Sequence, residues 1–360
     1  MKRIVVVVSA CVAAQLAVAA PAGANPLTAG WHATLTDPTP ATGLSAVSCV
    51  SSRYCLALGS QGEVWDGAGW VARPGLIDGF DVSCSAVSDC MIAGAESAPT
   101  GGDPRDGYIT PMLAHWDGST FTRLPLPTDP LAAGWASTVS CTASNACMAA
   151  AGPVVLRWDG AAWVQTPTPT TAAGAVWVYD VACTKSTQCI AVGADPAGTA
   201  ATILWDGSTW TEAPAPPFAP LQVDCDGADW CMAVGSSAYY PTPVDGGGFG
   251  DINSAAVWNG SAWTSVALAD APWEGSFYAN VLSCGARTSC AVVSGDVREH
   301  WDGRTWSVTP GPTIQGAGPV ALHAVDCPDA TTCFAVGMQQ PTVQVPGFSV
   351  LPYAERWSAT

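Results

Sequence analysis

Tyr179-Asp180-Val181-Ala182-Cys183, a five-residue turn, Cys189-Ile190-Ala191-Val192-Gly193, and later Leu204-Trp205-Asp206-Gly207-Ser208-Thr209-Trp210: this stretch decides the fold, because the chain repeats its pattern seven times. The cysteine pairs are Cys49/Cys55, Cys84/Cys90, Cys141/Cys147, Cys183/Cys189, Cys225/Cys231, Cys284/Cys290 and Cys327/Cys333. Each is C-x5-C, and together they use fourteen of the fifteen cysteines. A β-branched run leads into the first cysteine of a pair, and another leaves the second. A third run ends in Trp-Asp-Gly at Trp65, Trp116, Trp158, Trp205 and Trp301, in Trp-Asn-Gly at Trp258, and in Trp-Ser at Trp357. Five residues beyond that Trp stands a second aromatic: Trp70, Phe121, Trp163, Trp210, Trp263 or Trp306.

Asp-Gly or Asn-Gly between apolar runs marks a tight hairpin, because Gly and Asn accept positive φ. Each repeat therefore reads as four short strands: A into the first cysteine, B out of the second, C into the Trp, D around the second aromatic. First cysteines are spaced by 35, 57, 42, 42, 59 and 43 residues. Four strands at that period describe a propeller blade. The expected fold is all-β, a seven-bladed β-propeller of four-stranded antiparallel blades. The last repeat has no strand D of its own, and an orphan strand D, Ala29-Gly30-Trp31-His32, precedes the first repeat. The N-terminal strand should complete the last blade, which leaves no open sheet edge at the junction.

The expected organisation is a signal peptide over 1–24 and the propeller over 25–360. Lys2 and Arg3 precede an apolar run from Ile4 to Ala20, and Ala22-Gly23-Ala24 fits a small-residue cleavage site. Export to an oxidising compartment turns the fourteen paired cysteines into disulfides, each closed within one A–B hairpin. Zinc sites favour closer cysteine spacing and nearby partner ligands, so no metal and no cofactor is expected. Losing Lys2 and Arg3 takes the formal charge from −17 to −19. That acidity argues against nucleic acid and anionic membranes as partners. The mature chain is expected to be secreted, extracellular, monomeric and not inserted in a membrane.

The A–B and C–D turns are constant in length. From the second cysteine to the strand C Trp, by contrast, the chain takes 10, 26, 11, 16, 27, 11 and 24 residues. B–C and D–A connections share one face of a propeller, so all variation falls there, where binding usually sits. Thirteen of the 17 tryptophans occupy strand C or D positions and read as packing residues. Of the others, Trp230 lies in a C-x5-C turn, and Trp135, Trp177 and Trp273 lie in D–A connections. Trp135, Trp177 and Tyr278 stand six residues before their cysteine, and Phe80 and Tyr179 stand four before theirs. These aromatics should rim the channel mouth, offering flat apolar faces to a sugar or a protein. The candidate ligand-binding set is Trp135, Trp177, Tyr179, Trp273 and Tyr278, with Asp180 and Glu274. Asp81, Asp180, Asp224 and Asp326 on strand A are expected to line the channel as solvated acids, cation binding being the alternative. The segment Asp245 to Asn253 is acidic and Gly-rich but lacks EF-hand spacing.

Catalytic signatures are scarce: no G-x-S-x-G, no H-E-x-x-H and no phosphate loop occurs. His115 and His300 precede strand C tryptophans at a slot that varies among repeats. The Trp-Asp-Gly turns resemble the Asp-box of sialidase-like propellers, S-x-D-x-G-x-T-W. Asp206-Gly207-Ser208-Thr209-Trp210 is one residue shorter and lacks the leading Ser. The whole mature chain resembles the secreted, cysteine-paired β-propeller repeat proteins of actinobacteria, a resemblance that implies the fold and no established chemistry. Sialidases need an arginine cluster, and only Arg73, Arg105 and Arg123 fall on the variable face. The expected function is non-catalytic binding of an extracellular glycan or protein. The alternative is a glycoside hydrolase or lyase using acidic residues at the channel mouth, which would require paired carboxylates there.

Overall fold

The computed structural model describes residues 29–34, 36, 43–59, 62–73, 79–97, 109–127, 136–237, 253–269, 281–313, 318–341 and 350–359. They form seven four-stranded antiparallel sheets and one small two-stranded hairpin. In blade four the strands are Trp177–Lys185, Gln188–Ala194, Ala200–Trp205 and Trp210–Ala213, in that spatial order. Blades one to six follow this plan. The seventh pairs Val320–Asp329, Thr332–Gln339 and Leu351–Ser358, and its outer strand is Gly30–Thr34. Trp31 lies opposite Trp357, so the N-terminal strand supplies the missing strand D. Inner strands touch their neighbours in sequence order, and the inner strand of blade seven touches that of blade one, closing the ring.

Seven apolar clusters fill the seven gaps between blades. Strand B supplies both of its faces: Leu56 and Leu58 pack toward blade two, while Cys55 and Ala57 pack toward blade seven. A strand buried on both faces reads as a continuous apolar run, which explains Cys-Leu-Ala-Leu and Cys-Ile-Ala-Val after the second cysteines.

All seven disulfides close within one hairpin: Cys49–Cys55, Cys84–Cys90, Cys141–Cys147, Cys183–Cys189, Cys225–Cys231, Cys284–Cys290 and Cys327–Cys333. The sequence reading assigned these cysteines as crosslinks, and in the structure the second member of every pair has a further role. Cys55, Cys90, Cys147, Cys189, Cys231, Cys290 and Cys333 are all buried, and each belongs to one of the apolar clusters between blades. Their place in strand B is the reason: that strand is covered on both faces, so its sulfur is core as well as crosslink. None of the seven is part of a ligand surface. Of the first cysteines, Cys327 is also buried, while Cys49, Cys84, Cys141, Cys183, Cys225 and Cys284 are half-buried.

The tryptophans pin the scaffold face. Trp65, Trp158, Trp205 and Trp301 donate their indole N–H to backbone oxygens of Ser52, Ser144, Ser186 and Arg287 in the A–B turns, at 3.0–3.2 Å. The strand D indoles reach into the preceding blade: Trp70 to Thr34, Trp210 to Thr166 and Trp31 to Thr309. Each C–D turn is capped by its own Asp or Asn. The Asp206 carboxylate accepts the Ser208 and Thr209 N–H groups at 2.8 Å. Those donors hold Asp66, Asp117, Asp159, Asp206 and Asp302 below the usual carboxylate range. The turn glycines have φ of 90–100°, which a side chain would strain.

The strand A aspartates are not solvated acids. Asp81 and Asp180 are buried, and all four carboxylates bond to neighbouring backbone. The residue before the first cysteine accepts the N–H of the next blade's first cysteine: Ser48 from Cys84, Ser83 from Cys141, Ser140 from Cys183, Asp224 from Cys284, Ser283 from Cys327 and Asp326 from Cys49. Blade four has Ala182 at that place, and there Asp180 instead accepts the Val223 N–H at 2.9 Å. A closed circuit of side chain to backbone bonds thus runs round the channel. Each bond contributes about 1 kcal/mol net, more where the acceptor is charged.

Candidate functional site

The variable face is best defined at blade four. A small hairpin, Thr170–Thr171 with Gly174–Ala175, precedes its inner strand. The Asp195 carboxylate caps the B–C turn by accepting the Ala197 and Thr199 N–H groups at 2.9 Å, and it also accepts the Thr171 hydroxyl at 3.2 Å. These bonds tie the D–A hairpin to the B–C turn of the same blade and hold Asp195 below the usual carboxylate range. The Val178 N–H reaches back to the Gly152 carbonyl of blade three at 2.9 Å.

Trp177 and Tyr179 grow from this anchored platform. Val176 and Val178 are buried and pack between blades three and four. Trp177 and Tyr179 alternate with them and are half-buried. Tyr179 is the extra residue of a β-bulge, since Val178 faces Gly193 and Asp180 faces Val192. Bulges re-aim a side chain and recur next to functional sites. The same place is bulged in blades one, five and seven, at Ser45, Leu221 and His323.

That position, four residues before the first cysteine, forms the variable-face end of the inner wall. Ser45 donates to the Gly79 carbonyl at 3.0 Å, and His323 Nδ1 lies 2.8 Å from the Leu44 carbonyl, so the rim at blades seven, one and two is knitted together by polar contacts. Burial lowers the His323 pKa. Blade three has Ser137 there, donating to the Ala150 carbonyl at 3.4 Å; the apolar occupants among the described residues are Phe80 in blade two, 43% exposed, and the half-buried Tyr179 and Leu221 in blades four and five. Leu221 escaped the sequence reading because an aliphatic residue in a strand raises no signal. Aligning every repeat on its first cysteine would have found it.

Of the sequence candidates, Trp177 and Tyr179 share this surface. Asp180 lies directly beneath, but its carboxylate accepts the Thr138 hydroxyl at 2.6 Å and the Val181 and Val223 N–H groups at 2.8 and 2.9 Å. Burial, reinforced by the charge of Asp81, pushes its pKa up to about 7. Trp135, Trp273, Tyr278 and Glu274 lie outside the described residues, as does the 245–252 segment.

Other ionisable groups serve the frame. Glu63, Glu299 and Glu355 occupy one slot, two residues before the strand C Trp, in blades one, six and seven, and all are buried. Glu355 forms a two-pronged ion pair with Arg298 of blade six and accepts the Tyr353 hydroxyl. Glu299 accepts the Ala269 N–H at 2.8 Å. His115 and His300 also share a slot: His115 bonds Asp89 at 2.7 Å, and His300 lies 3.1 Å from Ser289 and stacks on Trp357. Two shallow grooves occur elsewhere, one beside Pro167, Pro169 and Trp210, the other beside Lys185, Asp226 and Asp229. Among the described residues no group of three or more His, Cys, Asp or Glu is placed to hold a metal, and no helix is long and apolar enough to cross a membrane.

The chain is similar in structure to several propellers. It matches YCF48 bound to a D1 peptide with a TM-score of 0.56 at 14% identity, over 92% of this chain and 97% of that one. YCF48 from Cyanidioschyzon merolae matches at 0.56 and 15% identity, over 92% and 99%. The WD40 propeller domain of Doa1 matches at 0.55 and 10% identity, over 91% and 97%. No family model and no curated protein matches the sequence. At these identities the likeness establishes the β-propeller fold.

Proposed function

We propose that this β-propeller is an exported, non-catalytic binding module whose variable-loop face recognises an extracellular glycan or protein. The observation that carries the reading is the half-exposed pair Trp177 and Tyr179, set on a hydrogen-bonded platform with the apolar rim residue Leu221 in the next blade. Neither aromatic belongs to the packing set that every blade repeats. Flat side chains of low conformational entropy are suited to sugar rings and to protein hot spots. The proposed ligand set also includes Trp135, Trp273, Tyr278 and Glu274, on their sequence positions in D–A connections alone. Asp180 supports it from below by holding blade four to blades three and five.

Seven intrachain disulfides suit an oxidising compartment, and the N-terminal signal-like segment supplies the route to it. Cleavage is proposed after Ala24, which N-terminal sequencing of the exported protein checks. A protein partner has a precedent among the similar folds, since one YCF48 structure holds a D1 peptide. The test is a glycan array and a peptide array read alongside a hydrolysis screen on cell-wall and plant polysaccharides. Saturable binding without turnover supports the reading. Turnover that disappears with a carboxylate substitution on the variable face replaces it with the hydrolase or lyase.

A further inference from the structure

At the inner wall of blades five, six and seven, two carboxylates converge on one hydroxyl. Ser283 Oγ lies 3.1 Å from Asp326 Oδ1 and 3.4 Å from Asp224 Oδ2, and it accepts the Cys327 N–H at 3.0 Å. The other carboxylate contacts are to backbone donors. Asp224 Oδ1 accepts the Cys225 N–H and Oδ2 the Cys284 N–H, both at 2.7 Å, and Asp326 Oδ2 accepts the Cys49 N–H. The hydroxyl has one proton to give and two carboxylates to face. With both ionised, one of the two contacts sets oxygen against oxygen with no hydrogen between them.

We propose that Asp224, Ser283 and Asp326 form a shared-proton clasp across blades five, six and seven, closed when one proton bridges the two carboxylates through Ser283 and loosened when that proton leaves. One added proton completes the count. Asp326 Oδ1–H donates to Ser283 Oγ, whose two lone pairs then serve Asp326 and the Cys327 N–H. The hydroxyl proton turns to Asp224 Oδ2. Both Asp224 oxygens and Asp326 Oδ2 already accept a backbone N–H, so the proton resides on Asp326 Oδ1.

The surroundings favour uptake. The titratable groups on the elements packed against the pair are Tyr179, Asp180 and Lys185 on the inner strand of blade four, and His323 and Asp329 on the strand of Asp326 itself. Lys185 is exposed in its turn, and Asp226, in the turn after Asp224, is engaged by Arg287. Burial first, then the charge of Asp226, pushes Asp224 up to about 6. Burial first, then the charge of Asp224, pushes Asp326 up to about 7. Both folded values exceed that of an unfolded aspartate. The clasp therefore contributes fully to stability below about pH 4, and the contribution is lost as pH rises from there through about 6 to 7.

The experiment is carboxyl carbon NMR of the full chain carrying labelled aspartate, titrated from pH 3 to pH 9, with Asp326→Asn and Asp224→Asn variants. Wild type should show a carboxyl of this pair titrating about two pH units or more above an ordinary aspartate. In Asp326→Asn the amide donates permanently to Ser283, so that transition should vanish and the Asp224 midpoint should fall. In Asp224→Asn the Asp326 midpoint should drop, because its like charge is gone. If both carboxyls of the pair titrate below about pH 5 in the wild type, or if the high transition assigned to this pair, as distinct from that of Asp180, survives unchanged in Asp326→Asn, the proposal is overturned. The wild-type titration decides by itself should either variant fail to fold.

Discussion

Asp180 is the sharpest place to perturb the ring. It carries the inner tie between blades four and five because Ala182 has no hydroxyl to offer. Asp180→Asn keeps the shape and removes the charge. The amide has one acceptor, while the carboxyl accepts Val181 N–H on one oxygen and Val223 N–H on the other. One of those buried N–H groups must then face an amide N–H, at a cost of about 1–3 kcal/mol. Against this stands the pH dependence. The folded pKa of about 7 lies above the unfolded 3.8. Between those values the native state keeps a proton that the unfolded chain has released. Wild-type stability from this residue is therefore greatest in acid, falls as pH rises from about 4 to 7, and is flat beyond. Three pH units correspond to at most about 4 kcal/mol. The variant lacks that slope. It should be destabilised by about 1–3 kcal/mol near pH 5, and the deficit should shrink or reverse near pH 8. Denaturant unfolding of the oxidised proteins at the two pH values measures this. Parallel pH profiles for the two proteins would refute the reasoning, since they would mean that Asp180 is ionised throughout.

Three further outcomes follow from the same structure. Trp31→Ala empties a buried site in the closing blade and should cost about 3–5 kcal/mol. Deleting residues 25–36 should go further and give open, self-associating rings by size-exclusion chromatography, because a sheet edge is left bare. Glu355→Gln leaves the buried Arg298 charge without its partner and should destabilise by about 3–5 kcal/mol, whereas a paired Arg298→Met, Glu355→Leu replacement should recover much of that in thermal melts.

The architecture was legible because its signals are local and repeated. Cys183 and Cys189 face each other across a hairpin whose length never changes, and Trp205 meets Trp210 across a turn that needs Asp and Gly. Even the closure was readable: a strand D without a blade at Trp31 and a blade without a strand D at Trp357 call for one another. The inner circuit was not. Ser48, Ser83 and Ser140 look like surface serines until the next blade's cysteine N–H is placed beside them. The strand A aspartates read as solvated because a carboxylate is costly to bury, and the cross-blade donors come from residues 42–60 positions away in sequence for Asp81, Asp180 and Asp224 and 277 away for Asp326. At the candidate site, Trp177 and Tyr179 stood out by departing from the repeat template. The platform beneath them, built from Thr171 and Asp195, depends on two connections meeting in space.

The central claim is that binding occurs on the variable-loop face. Its most direct test is one array experiment with three proteins: wild type, a Trp177→Ala, Tyr179→Ala variant, and a Lys185→Ala, Asp229→Ala control on the scaffold face. Both variants replace exposed or half-buried side chains, so each should melt close to wild type. Truncating an aromatic hot spot typically costs more than about 1 kcal/mol. The account predicts that the glycan or peptide features bound by wild type weaken about fivefold or more in the aromatic variant and persist in the control. Binding that survives loss of both aromatics but fails in the scaffold-face control would place the site on the opposite side of the ring and contradict it.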